Sequence, residues 1–203
     1  MLNIAAFVSG RGSNLKSVFE KVSKEKIRIC AVVSDKKDCL AVNFASQNNI
    51  PVFAVSNTIK NDFIDYSQLI GKLKELSVDL IMLVGFLKKI PNEFVDAFEN
   101  KIINIHPALL PAFGGKGMYG MNVHEAVFKS SAKVSGATVH FVDKIYDNGK
   151  IIAQRTVDIG DVKNAEEIAS RVLKAEHELL PFVVEKIADN KIKIENNRVV
   201  ILE

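Results

Sequence analysis

Short apolar runs alternate with helical patterns along the first part of the chain, and this alternation restricts the fold more than any other feature. Residues 4–8, 27–33 and 80–84 have the length and apolarity of strands that are buried on both faces. A weaker strand pattern covers residues 51–55, and apolar side chains at helical spacing separate the runs. This order predicts an α/β fold with a doubly wound, mostly parallel sheet, Rossmann-like in the N-terminal half.

The second half of the chain departs from this regular alternation. Two strand patterns, a long helix and a β-hairpin are predicted there, at residues 135–141, residues 151–157, the stretch from Ala165 onward and residues 191–202. Pro181 is expected to kink the long helix or to end its first part. No repeat or linker interrupts the sequence. We therefore expect a single domain over residues 1–203, with a mixed C-terminal part.

Composition and charge argue against several classes of protein. The chain is 48% hydrophobic and 25% charged, and its net charge of +3 comes from scattered basic residues. Scattered charge argues against a nucleic-acid partner but suits an anionic small-molecule substrate. No apolar run reaches the ~18 residues of a membrane span, and the first residues lack a signal-peptide pattern. Cys30 and Cys39 have no metal-ligand spacing, and two cysteines do not make a disulfide framework, so we expect a reduced, cytoplasmic protein.

Residues 101–113, KIINIHPALLPAF, run from an apolar strand pattern into a proline-broken loop. Asn104 and His106 alternate along the strand, so both side chains point to one face. An amide donor beside an imidazole can stabilise a developing oxyanion. The alternative is that both residues only satisfy the backbone of the loop. The carboxyl end of a strand is nevertheless where open α/β sheets bind their ligands.

A glycine-rich turn, SGRGSN at residues 9–14, joins the first strand to the first helix. Strand, glycine turn and helix together aim backbone N–H groups at a phosphate, and Ser13 and Asn14 add side-chain donors. The turn is not a dinucleotide fingerprint, because Leu15 stands in place of the third glycine, and it is not a P-loop. The alternative is a tight turn with no ligand.

Two further loops and one histidine are candidate functional features. Residues 85–91 leave a strand and can meet a flat heterocycle, although a plain loop with solvated lysines is equally compatible. The glycine-rich residues 112–122 predict a mobile or sharply folded loop, such as a lid. His124 opens a short helical segment, but the second histidine of a zinc-protease helix is missing, since residue 128 is Phe128. No metal site is predicted.

Four stretches taken together resemble the folate-dependent formyltransferases, and most closely the branch that acts on 5′-phosphoribosylglycinamide. They are SGRGSN at 9–14, NIHPALLP at 104–111, HFVDKIYDNG at 140–149 and RVLKAEHELLP at 171–181. The resemblance covers almost the whole chain. It implies transfer of a formyl group from 10-formyltetrahydrofolate, a co-substrate, to the amine of 5′-phosphoribosylglycinamide in de novo purine biosynthesis.

The resemblance also implies roles for individual residues. Asn104, His106 and Asp147 would form the catalytic group, with His140 in support, and Asp147 is preferred to Asp143 because it stands just before the closing Asn-Gly pair. We expect the Asp147 carboxylate to raise the pKa of His106 and to favour its imidazolium form.

Substrate-binding residues follow from the same resemblance. Gly12, Ser13 and Asn14 would hold the substrate phosphate, and Glu176 the glycinamide or ribose end. The folate would contact Asn104 and two segments. The first consists of Leu87, Lys88, Lys89 and Ile90, and the second of Ile145 and Tyr146, with Asp147 at its end. Phe63 stands where some members of the family place an arginine that binds the folate tail. We therefore expect Lys88 or Lys89 to bind the tail in this chain.

Other functions remain compatible with these residues. Related enzymes formylate another acceptor or hydrolyse the formyl donor, but they carry additional domains for which we expect no room in this chain. A protein of a different class, a nucleotide-binding module without catalysis, would leave Asn104, His106 and Asp147 without a purpose. The expected partners are small molecules, with no nucleic acid and no membrane, and the expected assembly is a monomer or a homodimer.

Overall fold

The computed structural model describes residues 1–58 and 61–203. The chain divides into two compact units, residues 1–103 and residues 104–203. Both contain helices and strands, and the predicted α/β fold with mostly parallel strands and a mixed C-terminal part is confirmed. The assignment of one domain to residues 1–203 stays a prediction.

The first unit alternates strands with helices as the sequence predicts. Its elements are β1 (Leu2–Val8), α1 (Ser13–Lys21), β2 (Ile27–Ser34), α2 (Leu40–Gln47), β3 (Val52–Ala54), α3 (Tyr66–Glu75), β4 (Leu80–Leu83) and α4 (Asn92–Ala97). The strands lie in the order β3-β2-β1-β4 and pair in parallel. Ile4 to Val8 of β1 are fully buried, as expected for a parallel strand covered on both faces.

The strand order reverses between β1 and β4. The chain adds β2 and β3 on one side of β1 and then returns to place β4 on the other side. Such a reversal opens a crevice at the carboxyl ends of the two central strands, which is where doubly wound sheets bind ligands. The glycine turn after β1 and residues 85–91 after β4 both lie at this point.

Two details of the first unit differ from the sequence prediction. Helix α4 was not predicted, because its six residues bury only Phe94 and Val95 and give too short a pattern. The helical spacing of apolar residues starts at Phe63, but helix α3 begins at Tyr66, because Asp65 caps it. The Asp65 carboxylate accepts from the Gln68 amide at 2.8 Å, and the Gln68 side chain accepts from the Asp65 amide.

The second unit begins within β5 (Ile102–His106), which crosses the boundary between the units. It continues with α5 (Met121–Lys129), β6 (Val134–Phe141), β7 (Ile151–Asp158), α6 (Ala165–Ala188), β8 (Ile192–Glu195) and β9 (Arg198–Ile201). Its sheet strands lie in the order β5-β6-β7, and β6 and β7 are antiparallel. The predicted hairpin is β8-β9, and Asn196 and Asn197 turn it at φ 47° and 63°.

Pro181 does not end the long helix. Helix α6 runs through it without interruption to Ala188. A proline removes one backbone N–H from the ladder of the helix, but Pro181 lies on the buried face together with Leu179, Leu180, Val183 and Val184. Packing of this face therefore holds the helix together across the missing hydrogen bond.

Glycine-to-alanine substitutions at two positions should have opposite effects. Gly71 is in helix α3 with open space where a Cβ would be added, so Gly71→Ala should stabilise the protein by about 0.5–1 kcal/mol. A Cβ on Gly136 of β6 would lie 2.1 Å from the carbonyl oxygen of Arg155, so Gly136→Ala should cost about 2 kcal/mol or more. Urea denaturation measures both changes, and shifts of the same sign would contradict the described packing.

Candidate active site

Strand β5 carries Asn104 and His106 to its carboxyl end. Both side chains point to the same face, as the alternation predicts, and His106 is buried with 3% of its surface exposed. Its Nε2 lies 2.8 Å from the carbonyl oxygen of Phe113. Because a carbonyl can only accept, Nε2 carries the proton, and a neutral ring then has its lone pair on Nδ1. That Nδ1 lies 3.6 Å from Oδ1 of Asp147.

The protonation of His106 differs from the expectation. Burial lowers the pKa of His106, and this effect exceeds the opposing influence of Asp147 and of the Phe113 carbonyl. Asp147 acts in the predicted direction, but burial disfavours the imidazolium. The sequence identified the partner of His106 and could not show the depth at which both side chains are buried.

Asp147 lies in the turn after β6, at a left-handed φ of 53°. Its Oδ2 accepts from the amide of Gly115 at 2.8 Å. Burial alone would raise the pKa of Asp147, but His140, the charge of His106 and the Gly115 amide together hold the pKa below its ordinary value. Asp143 shapes the same turn, because its carboxylate accepts from the Ile145 amide and from the Asn148 side chain.

His140 holds the side chain of Asn104. Its Nδ1 donates to the Phe141 carbonyl at 2.7 Å, so its Nε2 is free to accept from Nδ2 of Asn104 at 3.1 Å. The same Nε2 lies 3.7 Å from Oδ1 of Asp147. The pairing of β6 with β7 shifts register between Val139 and His140, and such a bulge changes the direction of the side chain it carries.

Thr138 and Gln154 hold the loop that follows His106, and sequence reasoning assigned neither. Oγ1 of the fully buried Thr138 donates to the Ala108 carbonyl at 2.6 Å and accepts from the Leu110 amide at 3.1 Å. Nε2 of Gln154 donates to the Leu110 carbonyl and to Thr138. The only signal in the sequence is a polar residue inside an apolar strand, two positions before His140.

His124 is a further buried polar residue whose position the sequence did not predict. It is buried on helix α5 with 6% exposed, and its Nδ1 has no hydrogen-bond partner among the residues that the structure describes. Burial lowers the pKa of His124, and the positive charge that His106 carries when protonated lowers it further. A lone histidine in an amphipathic pattern gives no signal of such a position.

The glycine turn in the first unit has the features expected of an anion site. Gly12 precedes α1 at φ 71°, and a Cβ there would lie 2.6 Å from Cβ of Ala41. No acidic residue occupies the first turn of α1, so the positive end of the helix dipole is uncompensated there. The roles of Gly12, Ser13 and Asn14 stay predictions.

The other predicted binding residues differ in exposure. In the first unit Ile90 is buried, and three residues are exposed: Leu87, Lys88 and Lys89. In the second unit Ile145 and Tyr146 are exposed, whereas Glu176 is buried on α6 with 8% exposed. Glu176 is therefore not a surface residue of the helix.

The structure brings Asn104, His106, His140 and Asp147 together in one cluster of the second unit. Among residues 1–58 and 61–203 no group of three or more His, Cys, Asp or Glu side chains is arranged to hold a metal ion. Within the same residues no helix is long and apolar enough to cross a membrane.

A model of the formyl transferase family matches residues 2–184. The chain belongs to the formyl transferase family. A family member from Arabidopsis thaliana, the chloroplastic phosphoribosylglycinamide formyltransferase, is 43% identical over 98% of this chain, which spans 70% of that protein's length. The phosphoribosylglycinamide formyltransferase of Haemophilus influenzae is 32% identical over 97% of this chain and 92% of its own length.

Solved structures of the family agree with this assignment. The crystal structure of phosphoribosylglycinamide formyltransferase from Anaplasma phagocytophilum matches with a TM-score of 0.89 and 35% identity. The match covers 100% of this formyl transferase and 94% of that chain. The resemblance inferred from four short stretches is thereby confirmed.

Stability should depend on pH through the two buried histidines. Below about 6.5, the ordinary histidine pKa, the unfolded chain takes up protons that His106 and His124 do not bind in the fold. The free energy of unfolding should therefore fall as the pH drops from 6.5 to the lowered pKa values, by at most about 1.4 kcal/mol per pH unit for each histidine.

Urea denaturation between pH 7.5 and 5 measures this slope. His106→Gln and His124→Gln should each flatten it. Asp147 contributes with the same sign, but only as the pH falls below its ordinary value of 3.8, so it lies outside the range. An unchanged slope in both variants would contradict the neutral assignment.

Proposed function

We propose that this formyl transferase moves the formyl group of 10-formyltetrahydrofolate to the amine of 5′-phosphoribosylglycinamide, a step of de novo purine biosynthesis. The observation that carries the proposal is the buried pair in which Nδ1 of a neutral His106 faces the carboxylate of Asp147, with Asn104 beside it. Relatives that cover nearly the whole chain carry the name of this activity.

The reaction replaces one carbon–nitrogen bond by another. The amine nitrogen of the nucleotide attacks the formyl carbon, and the carbonyl oxygen becomes an oxyanion. The bond from that carbon to N10 of the folate then breaks. The attacking nitrogen loses a proton and the departing N10 gains one, so no net charge is created. The protein must therefore stabilise a transient oxyanion and move one proton.

Asn104 and His106 stabilise the oxyanion in this proposal. One hydrogen of the Asn104 amide is engaged by His140, and the second is directed to the reacting oxygen. The Nε2–H of His106 exchanges its hydrogen bond to the Phe113 carbonyl for one to the oxyanion, because a charged oxygen is the stronger acceptor. Loss of one such donor typically slows a reaction about 10²–10³-fold.

Asp147 acts on the other nitrogen of His106. When the ring takes up a proton at Nδ1, the new N–H faces the carboxylate, which stabilises the imidazolium. Burial opposes this charge in the resting protein, so His106 becomes charged only when the oxyanion supplies the opposite sign. Protons pass from the amine to N10 through His106 or through a water bound to Asp147.

Binding of the two substrates is assigned to the remaining residues. Gly12, Ser13 and Asn14 hold the phosphate, and Glu176 holds the glycinamide or ribose end. The segments Leu87–Ile90 and Ile145–Asp147 hold the folate ring. Nζ of Lys37 lies 5.5 Å from the centre of the Phe63 ring, so this position supplies an aromatic face to a neighbouring cation. The folate tail is assigned to Lys88 or Lys89.

One assay tests the activity. The purified protein is mixed with 5′-phosphoribosylglycinamide and 10-formyltetrahydrofolate, and release of tetrahydrofolate is followed. Release that depends on the nucleotide supports the proposal. Release of formate without the nucleotide would favour a hydrolase, and binding without turnover would favour a non-catalytic module. A cytoplasmic location and the choice between monomer and homodimer stay predictions.

Asp147→Asn should lower kcat on the order of 10²-fold or more, because it keeps the shape of the side chain and removes the charge that supports His106. Both KM values should change far less. His106→Asn should be comparably harmful, and the double variant little worse than either, since the two residues act as one unit.

Asp143→Asn is the matched control for this series. It removes a charge from the same turn, and its remaining oxygen can still accept from the Ile145 amide. Most of the activity should remain. If Asp143 proves essential and Asp147 dispensable in steady-state assays, the assignment of the acid is wrong.

The phosphate site is tested with inorganic phosphate and two glycine variants. Phosphate should compete with the nucleotide and not with the folate. Gly12→Ala should raise the nucleotide KM, because its Cβ would meet Ala41 and φ is 71°. Gly10→Ala, where the added Cβ has open space, should leave it near wild type. Equal nucleotide KM values in both folded variants would show that the glycine turn does not bind the substrate phosphate.

A further inference from the structure

Ser9 directly follows the buried strand β1 and has 2% of its surface exposed. Two hydrogen bonds join it to the chain that leaves β4. Its amide donates to the Gly85 carbonyl at 3.0 Å, and its Oγ accepts from the Leu87 amide at 3.0 Å. The second bond spans 78 residues of sequence. Ser9 therefore connects the glycine turn with residues 85–90 inside the first unit.

These bonds lie where the backbone changes direction. Val84 still bonds to Phe7 within the ladder, and Gly85 then takes a left-handed φ of 78°. Leu87, Lys88 and Lys89 are exposed, and the chain returns to the core at Ile90. Ser9 holds the first end of this exposed segment, and the buried Ile90 holds the other.

We propose that Ser9 is a positioning residue for the folate, because its hydroxyl fixes the backbone of Leu87 and with it the edge that Leu87–Ile90 presents to the pterin ring. This inference rests on the proposed function. A flat heterocycle bonded by backbone groups tolerates little displacement of those groups. A serine hydroxyl can hold the Leu87 amide without filling the crevice itself.

Ser9→Ala leaves the bond from residue 9 to Gly85 intact and removes only the acceptor of the Leu87 amide. The KM for 10-formyltetrahydrofolate should rise about tenfold, the usual effect of leaving one partly buried donor without its partner. The KM for 5′-phosphoribosylglycinamide should stay within about twofold of wild type. Ser9→Cys keeps the volume with a poorer acceptor and should resemble Ser9→Ala, whereas Ser9→Thr keeps the hydroxyl and should recover most of the folate affinity.

Ser34 provides a matched control. It is fully buried at the carboxyl end of β2, the neighbouring strand, and its Oγ accepts from the Lys36 amide at 3.1 Å. Ser34→Ala therefore removes the same kind of bond, but one that is local to its own turn. A merely structural role for Ser9 predicts that both alanine variants lose thermal stability and keep the folate KM.

Steady-state kinetics and calorimetric titration with tetrahydrofolate complete the test. A rise in folate KM and in folate Kd that is specific to Ser9→Ala and Ser9→Cys supports the inference. Wild-type folate affinity in these variants, a parallel rise in nucleotide KM, or an equal effect of Ser34→Ala would overturn it. If wild-type protein binds tetrahydrofolate but transfers no formyl group, the proposed function fails while the titration still decides the role of Ser9.

Discussion

A polar group that is withdrawn from water without a partner costs free energy, and the loops around the candidate site are arranged by this constraint. Apolar strands lead directly into these loops, and Ala108 and Leu110 of the loop after β5 are buried with the strand end. In the second unit Thr138 bonds the Ala108 carbonyl and the Leu110 amide. In the first unit Ser9 bonds the Leu87 amide. Both are small hydroxyl residues, whose side chains need little space and can donate as well as accept.

The same withdrawal from water determines the charges of the site. His106 is held neutral by burial, although a carboxylate lies 3.6 Å from its Nδ1. Asp147 keeps its charge because His140, the Gly115 amide and, once it is protonated, His106 outweigh the desolvation of the carboxylate. The resting pair therefore has one negative charge and an imidazole ready to become positive. In the proposed reaction the developing oxyanion draws on donors that the fold holds nearby, and electrostatic stabilisation of this kind is usually the largest catalytic effect.

Sequence reasoning succeeded where one local pattern was enough. Continuous apolarity identified β1, β2 and β4, and alternation placed Asn104 and His106 on one face. Asp147 came from the family resemblance, since nothing local separates it from Asp143. The failures concern contacts between distant residues. The reversed pKa shift of His106 and the roles of Thr138 and Gln154 depend on burial and on backbone groups that no sequence pattern reports.

The hydrogen bond from His106 to the Phe113 carbonyl bears on the design of inhibitors. A compound that accepts a hydrogen bond from Nε2–H must first break the bond to the Phe113 carbonyl. Its binding free energy therefore improves only by the difference between the new hydrogen bond and the old one. A neutral planar ketone or amide exchanges one carbonyl for another and gains almost nothing. An anionic tetrahedral oxygen forms a charge-assisted bond. At this one atom the site therefore favours an anionic tetrahedral oxygen over a flat, neutral carbonyl.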